Sequence, residues 1–93
     1  MAGTSAVVIT YNSADVIGTC VAGLREFAPG VRVLVIDNAS LDGTMEQARA
    51  AGAEVIANRE NRGFAGAVNQ GFRETDTDIV LVLNPDVRLR TGI

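Results

Sequence analysis

Ninety-three residues with a net charge of −3, no histidine and one cysteine make one small domain at most. An apolar fraction of 47% excludes a disordered chain, and no apolar run approaches the ~20 residues of a membrane span. The lack of any basic block excludes nucleic acid as an expected partner. Cys20 alone forms no internal disulfide and suits a reducing cytosol. Without histidine the usual nitrogen-and-sulfur zinc site cannot be built, so any metal must be held by oxygen, which selects Mg2+ or Mn2+. No basic segment leads into a long apolar core at the start, so no signal peptide is expected.

In chain order, S-A-V-V-I-T at 5–10 is predicted to be a buried strand. Tyr11-Asn12-Ser13 forms a turn in which Asn12 or Ser13 caps a helix, with Asp15 near the positive end of its dipole. Val16, Ile17, Cys20, Val21, Leu24 and Phe27 recur at three and four residues, giving one apolar face on which Cys20 reads as core. Pro29-Gly30 ends that helix. V-R-V-L-V-I at 31–36 is a second strand with Asp37 at its C-terminal end, followed by a polar loop at 38–43. A short helix at 44–51, with Met45, Ala48 and Ala51 inward, is closed by Gly52. Residues 54–57 form a third strand, 58–63 a second polar loop and 64–73 a third helix with Phe64, Ala67, Val68 and Phe72 on its apolar face. Gly66 and Gly71 weaken that helix by about 1 kcal/mol each relative to Ala. The run Ile79 to Leu83 has no alternation and reads as a strand covered on both faces. It stops at Asn84-Pro85-Asp86 because Pro85 cannot donate a ladder hydrogen bond. A further element begins at Leu89 and runs to Ile93.

This alternation predicts an α/β fold, a doubly wound parallel sheet with element order β-α-β-α-β-α-β and strand order 3-2-1-4. Two helices cover one face and one the other, and the switch point lies between Thr10 and Asn84. The fourth strand is then an open apolar edge, which proteins normally cover. The expectation is either that the 93 residues are the first part of a longer protein or that a homodimer closes that edge.

Two strand-end carboxylates are candidates for chemistry. Asp86 either completes an ordinary turn or holds a divalent cation on a diphosphate. Asp37 either caps the 38–43 loop or accepts from a ribose hydroxyl or a base N–H. Asp42-Gly43-Thr44 reads as the cap of the second helix. Tyr11 either stacks on a flat base or lids its loop. In N-R-G-F-A-G-A-V-N at 61–69, small residues open a helix to backbone approach, while Gly66 and Ala67 are equally explained by tight packing on the sheet. Asn61 and Asn69 flank that turn and need partners. The first loop lacks glycine, so the Rossmann fingerprint is missing where it belongs, and no Walker loop is present.

Together these segments resemble the N-terminal, nucleotide-binding half of an inverting family 2 glycosyltransferase of the GT-A fold. V-V-I-T-Y-N-S-A at 7–14 is similar to the family's opening strand and loop. V-I-D-N-A-S-L-D-G-T at 35–44 resembles its D-N-x-S-x-D-G-T segment, and N-R-G-F-A-G-A-V-N-Q-G at 61–71 its N-x-G-F-A-G-A-x-N-x-G segment. L-V-L-N-P-D-V at 81–87 sits where the family carries its D-x-D-type metal motif, in wording most similar to the bacterial rhamnosyltransferase-like branch.

The resemblance implies roles. Thr10, Tyr11 and Asn12 would contact the nucleotide, and Asp37 would bind the base with Asn38 and Ser40 beside it. Asn61, Gly63, Phe64, Ala65 and Asn69 would line the nucleotide side of a cleft. Asn84 would contact the nucleotide, and Asp86 would hold Mg2+ or Mn2+ on its diphosphate. Asn84 departs from the Asp found in many members and removes one carboxylate from the metal site.

The implied reaction is displacement at the anomeric carbon of a nucleoside-diphosphate sugar by an acceptor hydroxyl, on a carbohydrate or a lipid-linked acceptor, with inversion. A general base must take the acceptor proton. In the family it is an Asp or Glu well beyond the D-x-D segment. Residues 1–93 are therefore expected to be a sugar-nucleotide-binding part, inactive alone, of a cytoplasmic enzyme working at the inner face of the membrane on cell-wall polysaccharide. The alternatives are a non-catalytic nucleotide-binding or dimerising module of the same fold, and a Rossmann-type oxidoreductase fragment, which the glycine-free first loop opposes.

Overall fold

A computed structural model describes residues 3–90. Strands and helices alternate as β1 (Thr4–Thr10), α1 (Ala14–Phe27), β2 (Arg32–Asp37), α2 (Thr44–Ala50), β3 (Glu54–Ala57), α3 (Gly63–Glu74) and β4 (Ile79–Leu83). All strand pairs are parallel, in the order β3-β2-β1-β4, as the alternation predicts. β1 runs beside β2 up to Thr10↔Asp37 and beside β4 up to Val8↔Leu83. That register brings Thr10, Asp37 and the Asn84-Pro85-Asp86 turn to one rim of the sheet. β2 meets β3 up to Asp37↔Ala57, so the loop after β3 joins the same rim.

The alternation of side chains along β1 and β2 divides the core into two layers. Ala6, Val8, Val33 and Val35 pack on Ile17, Cys20, Val21 and Leu24 of α1 and on Ala48 of α2. Val7, Ile9, Leu34 and Ile36 pack against Ala67 of α3. Two helices thus cover one face and one covers the other, as right-handed crossovers require. Gly52 closes α2 with a positive φ of 103°, a conformation glycine adopts without a Cβ penalty.

The predicted α3 face is only half right. Ala67 and Gly71 are the residues that bury, Val68 is half-buried, and Phe64 and Phe72 are 57% and 49% exposed. A Cβ on Gly71 would lie 2.6 Å from Val7 Cγ1, so the missing side chain is what lets α3 lie against the sheet. A reading based on apolar spacing gives glycine no weight as an inward residue, and it therefore turned the helix toward its phenylalanines.

Nor is β4 covered on both faces. None of its residues is fully buried, and Ile79 is 54% exposed. β4 is the outer strand beyond β1, and Ala67 and Gly71 seat α3 over β1 and β2 rather than over β4. The open apolar edge that was expected is present. Leu89 folds back onto α1 beside Gly23. The element expected to run from Leu89 to Ile93 extends into residues 91–93, which lie outside the described residues.

Candidate functional site

Asp37 is the centre of the rim. Its carboxylate is 0% exposed. Oδ1 accepts from Thr10 Oγ1 at 2.6 Å and from Ser40 Oγ at 2.7 Å, and Oδ2 accepts from the Ser40 N–H at 2.9 Å. One buried carboxylate thus ties the tip of β1 to the start of the β2–α2 loop. The loop turns through Ala39 at a φ of 62°, a left-handed conformation that costs an alanine about 1–2 kcal/mol and persists because the Asp37–Ser40 bonds hold it.

The β1–α1 and β2–α2 loops are bonded along their length. The Asn12 N–H donates to Ser40 Oγ and the Leu41 N–H returns to Asn12 Oδ1, both at 2.8 Å. The Ser13 N–H donates to Thr44 Oγ1 at 2.7 Å. Asp42 serves both helix starts, accepting from the Ala14 N–H at 3.2 Å and from the Thr44 N–H at 3.0 Å, as well as from the Thr44 hydroxyl. Its role at the second helix matches expectation. Its role at the first replaces the expected cap by Asn12 or Ser13, since the Ser13 hydroxyl bonds Tyr11 instead. A carboxylate reaching from another loop cannot be read from local spacing.

Those bonds, first among them the one from the Thr44 side chain, hold the Asp42 carboxyl below its usual value. A depressed folded-state pKa gives stability that is present above the unfolded value of about 3.9 and is lost as pH falls through the folded value. Asp42→Ala should therefore melt earlier than the wild type at about pH 6, and the gap should close on acidification below about pH 4. Thermal melts of both proteins across that range check it.

The β3–α3 loop is held by amides. The Asn38 side chain accepts from the Arg62 N–H and donates to the Gly63 carbonyl, each at 3.2 Å, and Asn58 and Gln70 brace it from behind. The Gly63 N–H donates to Asn61 Oδ1 at 2.8 Å. Asn58 and Gln70 were missed as site-building residues, and Asp42 was read only as the cap of the second helix. Asn58 carried a weak signal, a polar residue directly after an apolar strand, but Gln70 carried none.

Between these loops lies an open cleft of about 390 Å³. Of the residues expected at the site, Thr10, Tyr11, Asn38, Asn61, Gly63 and Phe64 line it, joined by Ile9, Ser13 and Pro85. Tyr11 of the β1–α1 loop, 54% exposed, and Phe64 of the first turn of α3 are its aromatic lining residues. Asp37 and Ser40 are buried outside the lining and hold it, and Asn12, exposed, bonds the 40–41 segment without lining the cleft. Asn84 and Asp86, the chain neighbours of the lining residue Pro85, are exposed and are not themselves part of the lining, and the Asn84 carbonyl accepts the Val87 N–H at 3.2 Å to close the turn. Ala65 and Asn69 do not reach the cleft. At 100° per residue they project from the side of α3 opposite Ala67 and Gly71, into solvent.

The two strand-end carboxylates therefore differ in kind. Both Asp37 oxygens are engaged, whereas Asp86 is open to solvent. Among the described residues no three Cys, Asp or Glu side chains converge into a metal cage. An exposed carboxylate one residue beyond the cleft wall is chemically able to be one ligand of an oxygen-loving cation. Cys20 takes no part; burial pushes its thiol up, and the charge of Asp86 adds to that effect.

The fold recurs in solved enzymes. A mannosyltransferase from Pyrobaculum calidifontis, solved with GDP-Man and Mn2+, is 27% identical, superposes with a TM-score of 0.84, and is matched over 91% of this chain and 28% of its own. A glucosyl-3-phosphoglycerate synthase from Mycobacterium tuberculosis, solved with Mn2+, UDP and phosphoglyceric acid, is 24% identical at a TM-score of 0.83 over 94% of this chain and 34% of its own, a likeness of fold. The chain thus spans about a third of the length of these enzymes. No protein of curated function matches it. The profile of glycosyl transferase family 2 matches residues 5–92, nearly the whole sequence, and the chain belongs to that family.

Proposed function

We propose that this chain is the donor-binding region of a glycosyltransferase that takes its sugar from a nucleoside diphosphate. The observation that supports the reading is an open cleft with two aromatic lining residues at the C-terminal rim of a parallel sheet, with an exposed carboxylate one residue past its lining residue Pro85. Tyr11 and Phe64 offer faces for a flat base. The α3 N-terminus at Gly63 opens toward the same space and favours an anion there. Asp37, buried beneath, sets the positions of Thr10 and the 38–41 backbone rather than touching the ligand. Asn84 and Asp86 stand on the diphosphate side, and Asp86 would hold Mg2+ or Mn2+.

Such a cation, when bound, neutralises charge on the departing diphosphate. The chain's own residues bind the base, orient the diphosphate and expose the anomeric carbon to an acceptor hydroxyl. Attack from the opposite side gives inversion. The general base and the acceptor site belong, in this reading, to sequence beyond these residues, so the chain binds donor without transferring sugar. The N-P-D wording favours a rhamnosyltransferase-like enzyme building a surface polysaccharide on a carbohydrate or lipid-linked acceptor, inside the cell at the membrane face. The parallel edge of β4 is where a second copy would dock if the chain pairs.

Titration with UDP, TDP and GDP, with and without Mn2+, tests the reading. Metal-dependent binding of one diphosphate is expected, and Asp86→Ala should weaken it by about 10- to 100-fold without lowering Tm. Metal-independent binding, or full affinity in Asp86→Ala, would overturn it.

A further inference from the structure

Gln70 takes no part in the cleft wall, yet a line of side-chain amides that starts at Gln70 ends there. Asn58 Nδ2 donates to Gln70 Oε1 at 2.9 Å, and Gln70 Nε2 donates back to Asn58 Oδ1 at 2.8 Å. Asn58 Nδ2 also donates to Asn38 Oδ1 at 3.2 Å. Asn38 then meets backbone, accepting from the Arg62 N–H and donating to the Gly63 carbonyl. Asn38 and Asn58 are buried, and among the described residues no buried side-chain nitrogen or oxygen lacks a partner.

Each amide has one donor end and one acceptor end, so the line has a direction. Turning Asn58 over would set its oxygen against Asn38 Oδ1. Turning Asn38 over to suit would set its NH2 against the Arg62 N–H and its oxygen against the Gly63 carbonyl. Those backbone groups cannot turn, so one arrangement satisfies all members and any break leaves a buried polar group unpaired. Asn38 and Gly63 line the cleft. Gln70, half-buried on α3 seven positions past Gly63, is the outermost brace on the first turn of its own helix.

We infer that Asn58 and Gln70 are positioning residues for the 62–64 wall of the cleft, acting through Asn38, and that they set the affinity for a nucleoside diphosphate. The ligand rests on the donor-site reading above; the mechanical coupling does not. The inference follows from the direction of the amide line and assigns a binding role to two side chains that touch no ligand.

Gln70→Met keeps the length of the side chain and deletes both of its bonds. Amide hydrogen exchange in the ligand-free protein reads the coupling directly. Exchange of the Arg62 amide should accelerate about tenfold while the Val8 and Val35 amides keep their protection. Arg73→Met, a change on the same helix outside the line, should leave Arg62 unaltered. Unchanged exchange at Arg62 in Gln70→Met, equal acceleration across the sheet, or acceleration by Arg73→Met overturns the inference. In the second measurement, whichever of UDP, TDP and GDP binds the wild type in Mn2+ should bind Gln70→Met about tenfold more weakly at a temperature well below the melting of both proteins. Equal affinity overturns the proposed effect on binding. A wild type that binds none of the three sinks the donor-site reading and the affinity claim together, and the exchange contrast then stands or falls by itself.

Discussion

Asp37→Ala should lose about 3–5 kcal/mol of stability, much of what a chain of this length possesses. Three donors lose their acceptor together: the Thr10 hydroxyl, the Ser40 hydroxyl and the Ser40 N–H, all in buried surroundings. Each stranded donor costs about 1–3 kcal/mol, and the hydroxyls recover part of that by rotating, so the sum falls short of three full penalties. Release of Ala39 from its left-handed φ returns a little more. Asp37→Asn keeps the shape but turns an NH2 toward groups that already donate, and should cost about 2 kcal/mol. At roughly 4–8 °C per kcal/mol, the alanine variant should melt at least about 12 °C below the wild type. A melt within about 3 °C would mean that the carboxylate is dispensable to the rim and free for a ligand.

Gly71→Ala should destabilise, against the ordinary rule for glycine inside a helix. The rule predicts a gain of about 1 kcal/mol, since alanine loses less backbone entropy. Here the new Cβ would meet Val7 Cγ1 at 2.6 Å and Cγ2 at 3.2 Å. Val7 is fully buried in a central strand and β-branched, so its methyls cannot swing aside. Overpacking of this kind costs about 1–3 kcal/mol, and the 2.6 Å approach to an immobile methyl puts this site in the upper part of that range, so a net loss of about 1–2 kcal/mol remains after the propensity gain. Gly71→Leu should not fold. Gly18 in α1 is the internal contrast: a Cβ there meets only Gln47 Oε1 at 3.9 Å, so Gly18→Ala should stabilise by about 0.5–1 kcal/mol. Opposite signs for the two glycines in chemical denaturation check the argument, and equal signs would refute it.

Strand order was legible because three apolar runs, at 5–10, 31–36 and 79–83, alternate with segments of helical period, and right-handed crossovers leave few ways to connect them. Helix α1 was legible because its inward side is made of large apolar residues. Helix α3 was misread because its inward side is an alanine and a glycine, whose contribution is closeness rather than hydrophobicity. At the rim, residue types marked the right loops, and six of the expected residues do line the cleft. Their division of labour was hidden. Thr10 and Asp37 are 27 residues apart in sequence and touch only because their strands pair in register. Whether a strand-end carboxylate faces inward or outward is a tertiary fact, and it separates Asp37 from Asp86. The half-exposed state of β4 was equally hidden, since cover for an apolar run is supplied by neighbours and not by the run itself.

The bonds joining Asn12 to Ser40 and Leu41, Ser13 to Thr44, and Ala14 to Asp42 have a consequence for how this protein can change over time. One residue inserted between Ala39 and Asp42 would misalign every rung and disturb the beginnings of two helices at once. The two connections therefore cannot drift in length separately. Diversity in what the pocket accepts has to enter elsewhere, through exposed side chains such as Phe64 and through the turn after β4, where among the described residues no such ladder joins the backbone to a neighbouring loop.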